Sequence, residues 1–273
     1  MAQDFRRAGL QCARDQQVRA VVIRGVPGVF CSGADLKFIR DGGDTGDLAY
    51  LTHQRPAPAD ERRARVSYGD VFKQILEYIH STISEIRRAP KPFIAAVDGI
   101  AAAGGFGIAM SCDLVVASER AAFEWAYSRT GLTGAESSTF MLPRLIGLRR
   151  SMELMLLNPR LTAAQARDYG LVSEVFPLVS VEQQTMALAE RLAAGPSHAF
   201  ATAKELLNQA AGMDQLDAHL DRELQELARA ADGAEFAAGL TAFFESKRHA
   251  PFAPRDQSLP DHALRVDMPA ILE

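Results

Sequence analysis

Short apolar runs alternate with amphipathic stretches along the first half of the chain. Residues 20–23, 93–97 and 114–117 are uninterrupted apolar runs, a pattern typical of strands buried on both faces of a sheet. Apolar residues recur at helical spacing over residues 72–86. Within residues 4–17 the apolar side chains would share one face of a second predicted helix. Because strands and helices alternate, the pattern predicts an α/β fold with a mostly parallel sheet.

The second half of the chain is mainly helical in its pattern, from Gly147 onward. Thr162 and Gln165 have the spacing of a capping box, and Gly170 is expected to end the helix that they begin. Further helices are predicted at residues 181–194, 198–211, 215–231 and 233–247. Residues 37–67 show no period and contain several glycines and prolines, which predicts a loop that shapes a substrate pocket.

Two segments of small residues each follow a predicted strand. They read CSGADL at residues 31–36 and DGIAAAGGFG at residues 98–107. Small residues allow a backbone N–H group to approach a ligand closely, and two such groups aimed at one oxygen would form an oxyanion hole. The segments therefore predict an enzyme, although tight packing of a helix on the sheet would also explain the residues from 101 to 107.

The composition limits the classes of partner and the cell compartment. The 273 residues are 48% hydrophobic and carry a net charge of -4, so no basic excess favours nucleic acid. Three cysteines, Cys12, Cys31 and Cys112, are widely spaced, which predicts reduced thiols in a cytoplasmic protein. The N-terminus lacks an apolar segment, and residues 92–110, the longest apolar stretch, contain Asp98 and many small residues, so we expect no signal peptide or membrane span.

Motifs for common cofactors and nucleophiles are absent. Gly105 and Gly107 begin a GxG pattern, but Met110 occupies the third glycine position of a dinucleotide site. The sequence has no GxxxxGK[ST] loop, no HExxH pair and no GxSxG elbow. We therefore expect no prosthetic group and no metal.

Several motifs, in the same order along the chain, resemble the crotonase superfamily of enoyl-CoA hydratases and isomerases. The resemblance runs from about Val18 to Phe252. It rests on VVIRGVPGVFCSGAD at residues 21–35, KPFIAAVDGIAAAGGFGIAMSCD at 91–113, LPRLIG at 142–147, residues 161–175, and LTAFF at 240–244 with Lys247.

The resemblance implies a ββα-spiral core at residues 1–195 and a helical region at residues 196–273 for trimerisation and CoA contact. It also implies an acyl-CoA substrate, with coenzyme A as part of that substrate, and a homotrimer or a dimer of trimers. Family members begin with a β-hairpin and a helix ahead of the strand matching Val21, whereas only the helix precedes it here. We therefore expect the family's first strands to be missing, with lower stability or a partner chain over the exposed sheet.

The resemblance also implies site residues. The backbone N–H groups of Ala34 and Gly104 would form the oxyanion hole for the thioester oxygen, with Gly104 at a helix N-terminus. The residues expected to contact coenzyme A are Ser32, Gly33, Ala34, Asp35, Leu36, Lys37, Lys247 and Phe252.

The chain departs from the family where acid–base groups are expected. The two glutamates that place water in hydratases would align with Gly107 and Tyr127, and the aspartate of some isomerases and of the dehalogenase branch would align with Ala135. Glu136 is then the candidate general base, or else a carboxylate that stabilises a helix N-terminus. Tyr127 is a candidate hydrogen-bond donor or acid.

These departures favour one reaction without excluding others. The leading prediction is isomerisation of an enoyl-CoA double bond through an enolate, with Glu136 as base. The alternatives are hydration or thioester hydrolysis using Tyr127 and water, and an acyl-CoA-binding protein that has lost catalysis.

Overall fold

The computed structural model describes residues 1–43 and 67–245, and these contain two four-stranded sheets. The first sheet has the order β1-β3-β5-β8 and is parallel throughout, whereas the second has the order β2-β4-β6-β7 and is parallel except for its β6–β7 pair. The strands are β1 Val21–Arg24, β2 Val29–Cys31, β3 Phe93–Val97, β4 Ile100–Ala102, β5 Leu114–Ser118, β6 Ala122–Glu124, β7 Leu161–Thr162 and β8 Glu174–Phe176. Strands β1 to β6 thus enter the two sheets in turn, as expected of a ββα core.

Ten α-helices pack around the sheets in the part of the chain that the structure describes. They are α1 Ala2–Arg14, α2 Leu36–Arg40, α3 Tyr68–Arg88, α4 Gly104–Ser111, α5 Ser138–Leu157, α6 Ala163–Tyr169, α7 Val181–Ala194, α8 Ser197–Ala210, α9 Leu216–Ala231 and α10 Ala234–Phe244. Two 3-10 turns lie at Tyr127–Thr130 and Met213–Gln215. The mixed α/β class predicted from the sequence is confirmed.

Two helices differ from the sequence prediction. Helix α2 lies inside the stretch predicted as loop, because the Asp35 carboxylate accepts hydrogen bonds from the Lys37 and Phe38 amides and starts a helical turn. Helix α5 begins at Ser138 rather than at Gly147, and Gly147 instead interrupts it with a non-helical φ of 76°. The rest of the predicted loop, residues 44–66, lies outside the described residues.

Helices α3 and α9 pack together and contribute to the main core. Helix α3 buries a stripe consisting of Phe72, Leu76, Ile79, Ile83 and Ile86, and α9 buries Leu216, Leu220, Leu227 and Ala231. Each fully buried leucine or isoleucine contributes about 1.5–3 kcal/mol. The C-terminal helices therefore share a core with the sheets, and the division at residue 195 stays a prediction.

One carboxylate joins the three turns that connect the two sheets. Asp98, in the β3–β4 turn, accepts hydrogen bonds from the Gly28 amide at 3.2 Å and the Ser118 hydroxyl at 2.8 Å. It also forms a bidentate pair with Arg120, at 2.7 and 2.6 Å. The Arg120 hydrogen bonds, together with those from Ser118 and Gly28, lower the pKa of Asp98 to about 2. The carboxylate thereby fixes the turns from which β2 and β4 begin, and these two strands lead into the small residues at 32–34 and 103–107.

Replacing this carboxylate should reduce stability in a pH-dependent way. Because the pKa of Asp98 is lower in the folded chain, its contribution is present above about pH 4 and is lost as the pH falls toward about 2. We expect Asp98→Asn to lower the free energy of unfolding by about 1 kcal/mol at neutral pH, a value reduced because solvent reaches the pair. Urea unfolding as a function of pH measures this difference.

The control is Asp4→Asn, which removes exposed pairs with Arg7 and with the N-terminal amine. A difference between Asp98→Asn and the unmodified chain that stays constant from neutral pH down to about pH 3 would contradict the role assigned to this carboxylate.

Candidate active site

The two small-residue segments lie side by side. Gly33 has a φ of +98°, and a Cβ atom there would lie 2.8 Å from the Ala103 Cβ and 3.6 Å from the Gly104 nitrogen. Ala103 adopts a φ of 48° and a ψ of −121°, a conformation that side-chain-bearing residues rarely adopt and that is concentrated at functional sites. The turn before α4 is thus pressed against the loop after β2.

The backbone amides predicted for the oxyanion hole belong to these two segments. Helix α4 begins at Gly104, and its N-terminus carries a partial positive charge. Within residues 1–43 and 67–245, neither the Ala34 nor the Gly104 amide donates a hydrogen bond to another group. Two amides free to donate are what an oxyanion hole requires, although their role in binding an oxygen stays a prediction.

The segment predicted to contact coenzyme A is open to solvent in part. Ser32, Asp35 and Lys37 are exposed, and Ala34 and Leu36 are half-buried. Of these side chains, the Asp35 carboxylate is used locally to start α2. Two further predicted contacts, Lys247 and Phe252, lie outside the described residues.

The Glu136 carboxylate lies at the N-terminus of α4. The Tyr127 hydroxyl donates a hydrogen bond to its Oε2 atom, and its Oε1 atom would lie 2.8 Å from a Cβ atom placed on Gly104. Burial raises the pKa of Glu136 to about 7, against the opposing hydrogen bond from Tyr127, and the nearby Glu223 carboxylate adds to the increase. The structure thus brings three predicted site residues, Gly104, Tyr127 and Glu136, into one cluster.

Tyr127 is held as a protonated donor. Burial and the neighbouring Glu136 carboxylate raise the pKa of its hydroxyl well above the ordinary value. Its backbone follows Ala126, which has a left-handed φ of 66° and donates its amide hydrogen to the Asn158 side chain at 2.6 Å. The Trp125 ring packs on the Tyr127 ring with centroids 5.1 Å apart. These contacts aim the hydroxyl at Glu136.

The backbone of Glu136 is held by a buried histidine. His80, on α3, accepts the Glu136 amide hydrogen on Nε2 at 3.1 Å. An accepting nitrogen carries no proton, so His80 is neutral with its proton on Nδ1. Burial agrees with this state, since it lowers the pKa of His80 to about 4. The 3.9 Å between Nε2 and the Glu223 carboxylate is therefore not an ion pair.

Glu223, on α9, binds the N-terminus of α5. Its buried carboxylate accepts hydrogen bonds from the Ser137 amide at 2.8 Å, the Thr139 amide at 3.0 Å and the Thr139 hydroxyl. A carboxylate at a helix N-terminus, the alternative considered for Glu136, describes Glu223 at α5 and also Glu136 at α4, so this alternative for Glu136 stays open. Glu136 itself accepts none of the α5 amides among the described residues.

Sequence reasoning missed His80 and Glu223, although each had a signal. Glu223 interrupts the apolar stripe of α9 between Leu220 and Leu227, and His80 lies one turn after Leu76 in the apolar part of α3. A charged or polar residue within such a stripe is buried and must find a partner. Its partner, however, lies on another helix and cannot be identified from the stripe.

Glu124 and Asp113 are held in ion pairs. Glu124, at the end of β6, is paired with Arg129 at 2.8 Å and Arg160 at 2.9 Å. Asp113 is paired with Arg87 and with Lys204. Over residues 1–43 and 67–245 the side chains form no cluster suited to a metal ion, and no helix has the length and apolar character to cross a membrane.

Comparison with known proteins places this chain in a family. The family model for enoyl-CoA hydratase/isomerase matches residues 70–255. The chain is 30% identical over 257 residues to 4-chlorobenzoyl coenzyme A dehalogenase-1 of Arthrobacter sp, covering 94% of this chain and 81% of the relative. It is 31% identical over 237 residues to 1,2-epoxyphenylacetyl-CoA isomerase of Escherichia coli, covering 87% and 82% respectively.

A solved structure shows the same fold. The crystal structure of an enoyl-CoA hydratase from Mycobacterium avium subsp. paratuberculosis superimposes with a TM-score of 0.76 at 28% identity, over 93% of this chain and 87% of that one. The relatives differ in their named reactions, but they share the family. The chain belongs to the enoyl-CoA hydratase/isomerase family of the crotonase superfamily.

Proposed function

We propose that this protein is an isomerase that moves a double bond in an acyl-CoA thioester through an enolate, with Glu136 as its acid–base group. The observation that carries the proposal is the single buried carboxylate against Gly104, with its pKa raised to about 7. A carboxyl group with such a pKa can both take up and return a proton near neutral pH.

The proposed steps use the residues of the cluster. The Ala34 and Gly104 amides hold the thioester oxygen, and Glu136 removes a proton from the α-carbon. Negative charge then develops on the oxygen, where each amide contributes roughly 3–4 kcal/mol and the α4 N-terminus adds about 0.3–1 kcal/mol. Glu136 returns the same proton to the γ-carbon as the double bond shifts. One carboxylate therefore suffices for the whole cycle.

Gly107 supports one-carboxylate chemistry. The first hydratase glutamate would align with this residue, but a Cβ atom here would lie 2.4 Å from the Glu136 carbonyl oxygen and 2.7 Å from its Cβ. A side chain on α4 at this position and the observed backbone of Glu136 therefore exclude each other. With Tyr127 at the second position, the pair of carboxylates that would hold a water between them is lacking.

The substrate class is open to a direct test. Two relatives, by their names, act on CoA thioesters of aromatic acids, so the panel should contain aryl-acyl as well as aliphatic enoyl thioesters. Isomerisation shifts the enoyl absorbance without a mass change, hydration adds water, and hydrolysis releases free coenzyme A. Binding without any of these changes would indicate a protein that has lost catalysis.

Removing the proposed base should abolish turnover without unfolding the chain. We expect Glu136→Gln to reduce kcat by roughly 10²–10⁴-fold and to leave thioester affinity in place. In the unmodified enzyme, kcat/KM should rise with pH and level off above about 7, because the base must be ionised. Full turnover in Glu136→Gln would exclude this residue as the base, and Glu190→Gln on the exposed face of α7 is the control.

The same variant has a stability signature. The folded chain keeps Glu136 protonated up to about pH 7, whereas the unfolded chain releases that proton near pH 4.3. The free energy of unfolding of the unmodified protein should therefore fall between these values as the pH rises. Glu136→Gln has no titrating carboxyl group at this position. Its free energy of unfolding should therefore increase relative to that of the unmodified protein over the same pH interval.

Removing the Tyr127 hydroxyl separates isomerisation from the alternatives. Its hydrogen bond lowers the pKa of Glu136, so Tyr127→Phe should move the acidic limb of the pH–rate profile to higher pH while leaving substantial activity above it. If Tyr127 instead positions water for hydration or hydrolysis, activity should be lost at every pH. Tyr169→Phe, which removes an exposed hydroxyl bound to Glu153, is the matched control.

A methyl group on Gly107 should displace Glu136. We expect Gly107→Ala to lower kcat by about tenfold or more, because small displacements of a reacting group are costly, and to reduce stability by about 1–3 kcal/mol. Steady-state kinetics and urea unfolding measure the two effects. Met110→Leu, a volume-conserving change in the same helix, should leave kcat unchanged, and unaltered kinetics in Gly107→Ala would contradict the steric argument.

A further inference from the structure

We infer that Glu223 is a positioning residue for the proton-transfer step: from α9 it fixes the backbone turn that presents the Glu136 carboxylate. The inference rests on the proposed function of Glu136. It concerns a residue outside the two small-residue segments and outside the cluster that would touch substrate.

The turn that carries Glu136 is intrinsically unfavourable. Glu136 and Ser137 are consecutive residues with left-handed φ values of 50° and 63°. Residues with a side chain rarely adopt this conformation, and two in succession persist only where surrounding contacts impose it. The turn therefore needs partners from elsewhere in the fold.

Side chains from two helices accept hydrogen bonds from two consecutive backbone amides of the turn. The Glu136 amide is bound by His80 of α3, and the Ser137 amide is bound by Glu223 of α9. Ser137 is also the N-cap residue of α5, yet its own hydroxyl makes no hydrogen bond in the described part of the chain. Glu223 thus takes the place of the local side-chain cap that most helices use.

The carboxylate of Glu223 is suited to this task. It accepts hydrogen bonds from the Ser137 amide, the Thr139 amide and the Thr139 hydroxyl, and these favour its ionised form although burial raises its pKa. Three donors on two oxygens define the position of the α5 N-terminus more tightly than one capping bond would. An amide side chain at this position would keep only one accepting oxygen.

Glu223 also acts on Glu136 through its charge. The groups facing Glu136 are the Tyr127 hydroxyl, neutral His80, the α4 N-terminus at Gly104, the Cys31 thiol and Glu223. Of these, the Glu223 carboxylate raises the pKa of Glu136 through its negative charge. His219 is half-exposed, shares a hydrogen bond with the Thr139 hydroxyl and lies 3.8 Å from Oε1 of Glu223.

The two effects allow an experiment to distinguish a positioning residue from a purely structural helix cap. In Glu223→Gln, the loss of the charge should move the acidic limb of the kcat/KM profile to lower pH by about half a unit or more. Loss of the second accepting oxygen should lower kcat by about tenfold, with KM within about twofold. If Glu223 were only a structural cap, Glu223→Gln would lower the midpoint of unfolding and leave the acidic limb of the kcat/KM profile unchanged.

Glu226→Gln is the matched control, because Glu226 lies one turn further along α9 in an exposed pair with Arg229. It should change neither the limb nor kcat. If Glu223→Gln retains both the unmodified limb and the unmodified kcat, the inference is wrong.

A second variant decides the matter if Glu223→Gln does not fold. Thr139→Val removes one of the three donors but keeps the charge of Glu223 and both backbone hydrogen bonds. It should lower kcat several-fold and leave the acidic limb near pH 7. An unchanged kcat in this variant would overturn the positioning role.

Infrared titration of the Glu136 carboxyl, identified by its loss in Glu136→Gln, separates this inference from the proposed function. If Glu223→Gln shifts that titration while Glu136→Gln keeps its turnover, the link between the residues stands and the proposed base is wrong. If Glu136→Gln abolishes turnover while Glu223→Gln shifts neither titration nor kcat, the proposed base stands and the positioning role falls.

Discussion

Burying the Glu136 carboxylate is the constraint on which the rest of the site depends. An isolated carboxylate loses hydration when it is buried, and this loss must be offset by donors or by a proton. Here the offset is partial: Tyr127 donates one hydrogen bond, and the remaining cost appears as a pKa raised to about 7. A carboxylate whose burial is costly in this way is suited to exchange a proton, because neither of its charge states is strongly preferred near neutral pH.

The elements around Glu136 can be understood as consequences of that burial. Gly104 and Gly107 lack side chains on the face of α4 that meets Glu136, and either Cβ atom would overlap it. The left-handed turn at Glu136 and Ser137 brings the side chain over this face, and α3 and α9 each bind one amide of the turn. Sheet, helix and loop therefore converge on one carboxylate, and the C-terminal helices contribute to the site through Glu223 as well as to the core.

Local features of the fold and of the site could be predicted from the sequence, whereas contacts between residues distant in sequence could not. The apolar runs located β3, and they located β1 and β5 to within one residue, because a strand buried on both faces has a distinctive composition. The small residues before α4 predicted a close backbone approach, which the structure shows at Gly33 and Ala103. The start of α5 was missed because its capping group is supplied by Glu223, 86 residues away from Ser137 in sequence, where no local pattern records it.

The position of the carboxylate also explains why resemblance to a family does not determine the reaction. A glutamate on α4 at position 107 would project from a rigid helix, and a second carboxylate opposite it could hold a water between them. In this chain the carboxylate projects from the loop before α5, and the opposite position holds Tyr127, which stays protonated because burial and Glu136 raise its pKa. A single carboxylate with a hydroxyl donor has one exchangeable proton to move and no second base to activate water. In the proposed reaction the Ala34 and Gly104 amides would stabilise an enolate whose proton returns to another carbon, so the proposal depends on where the carboxylate is attached rather than on the fold that surrounds it.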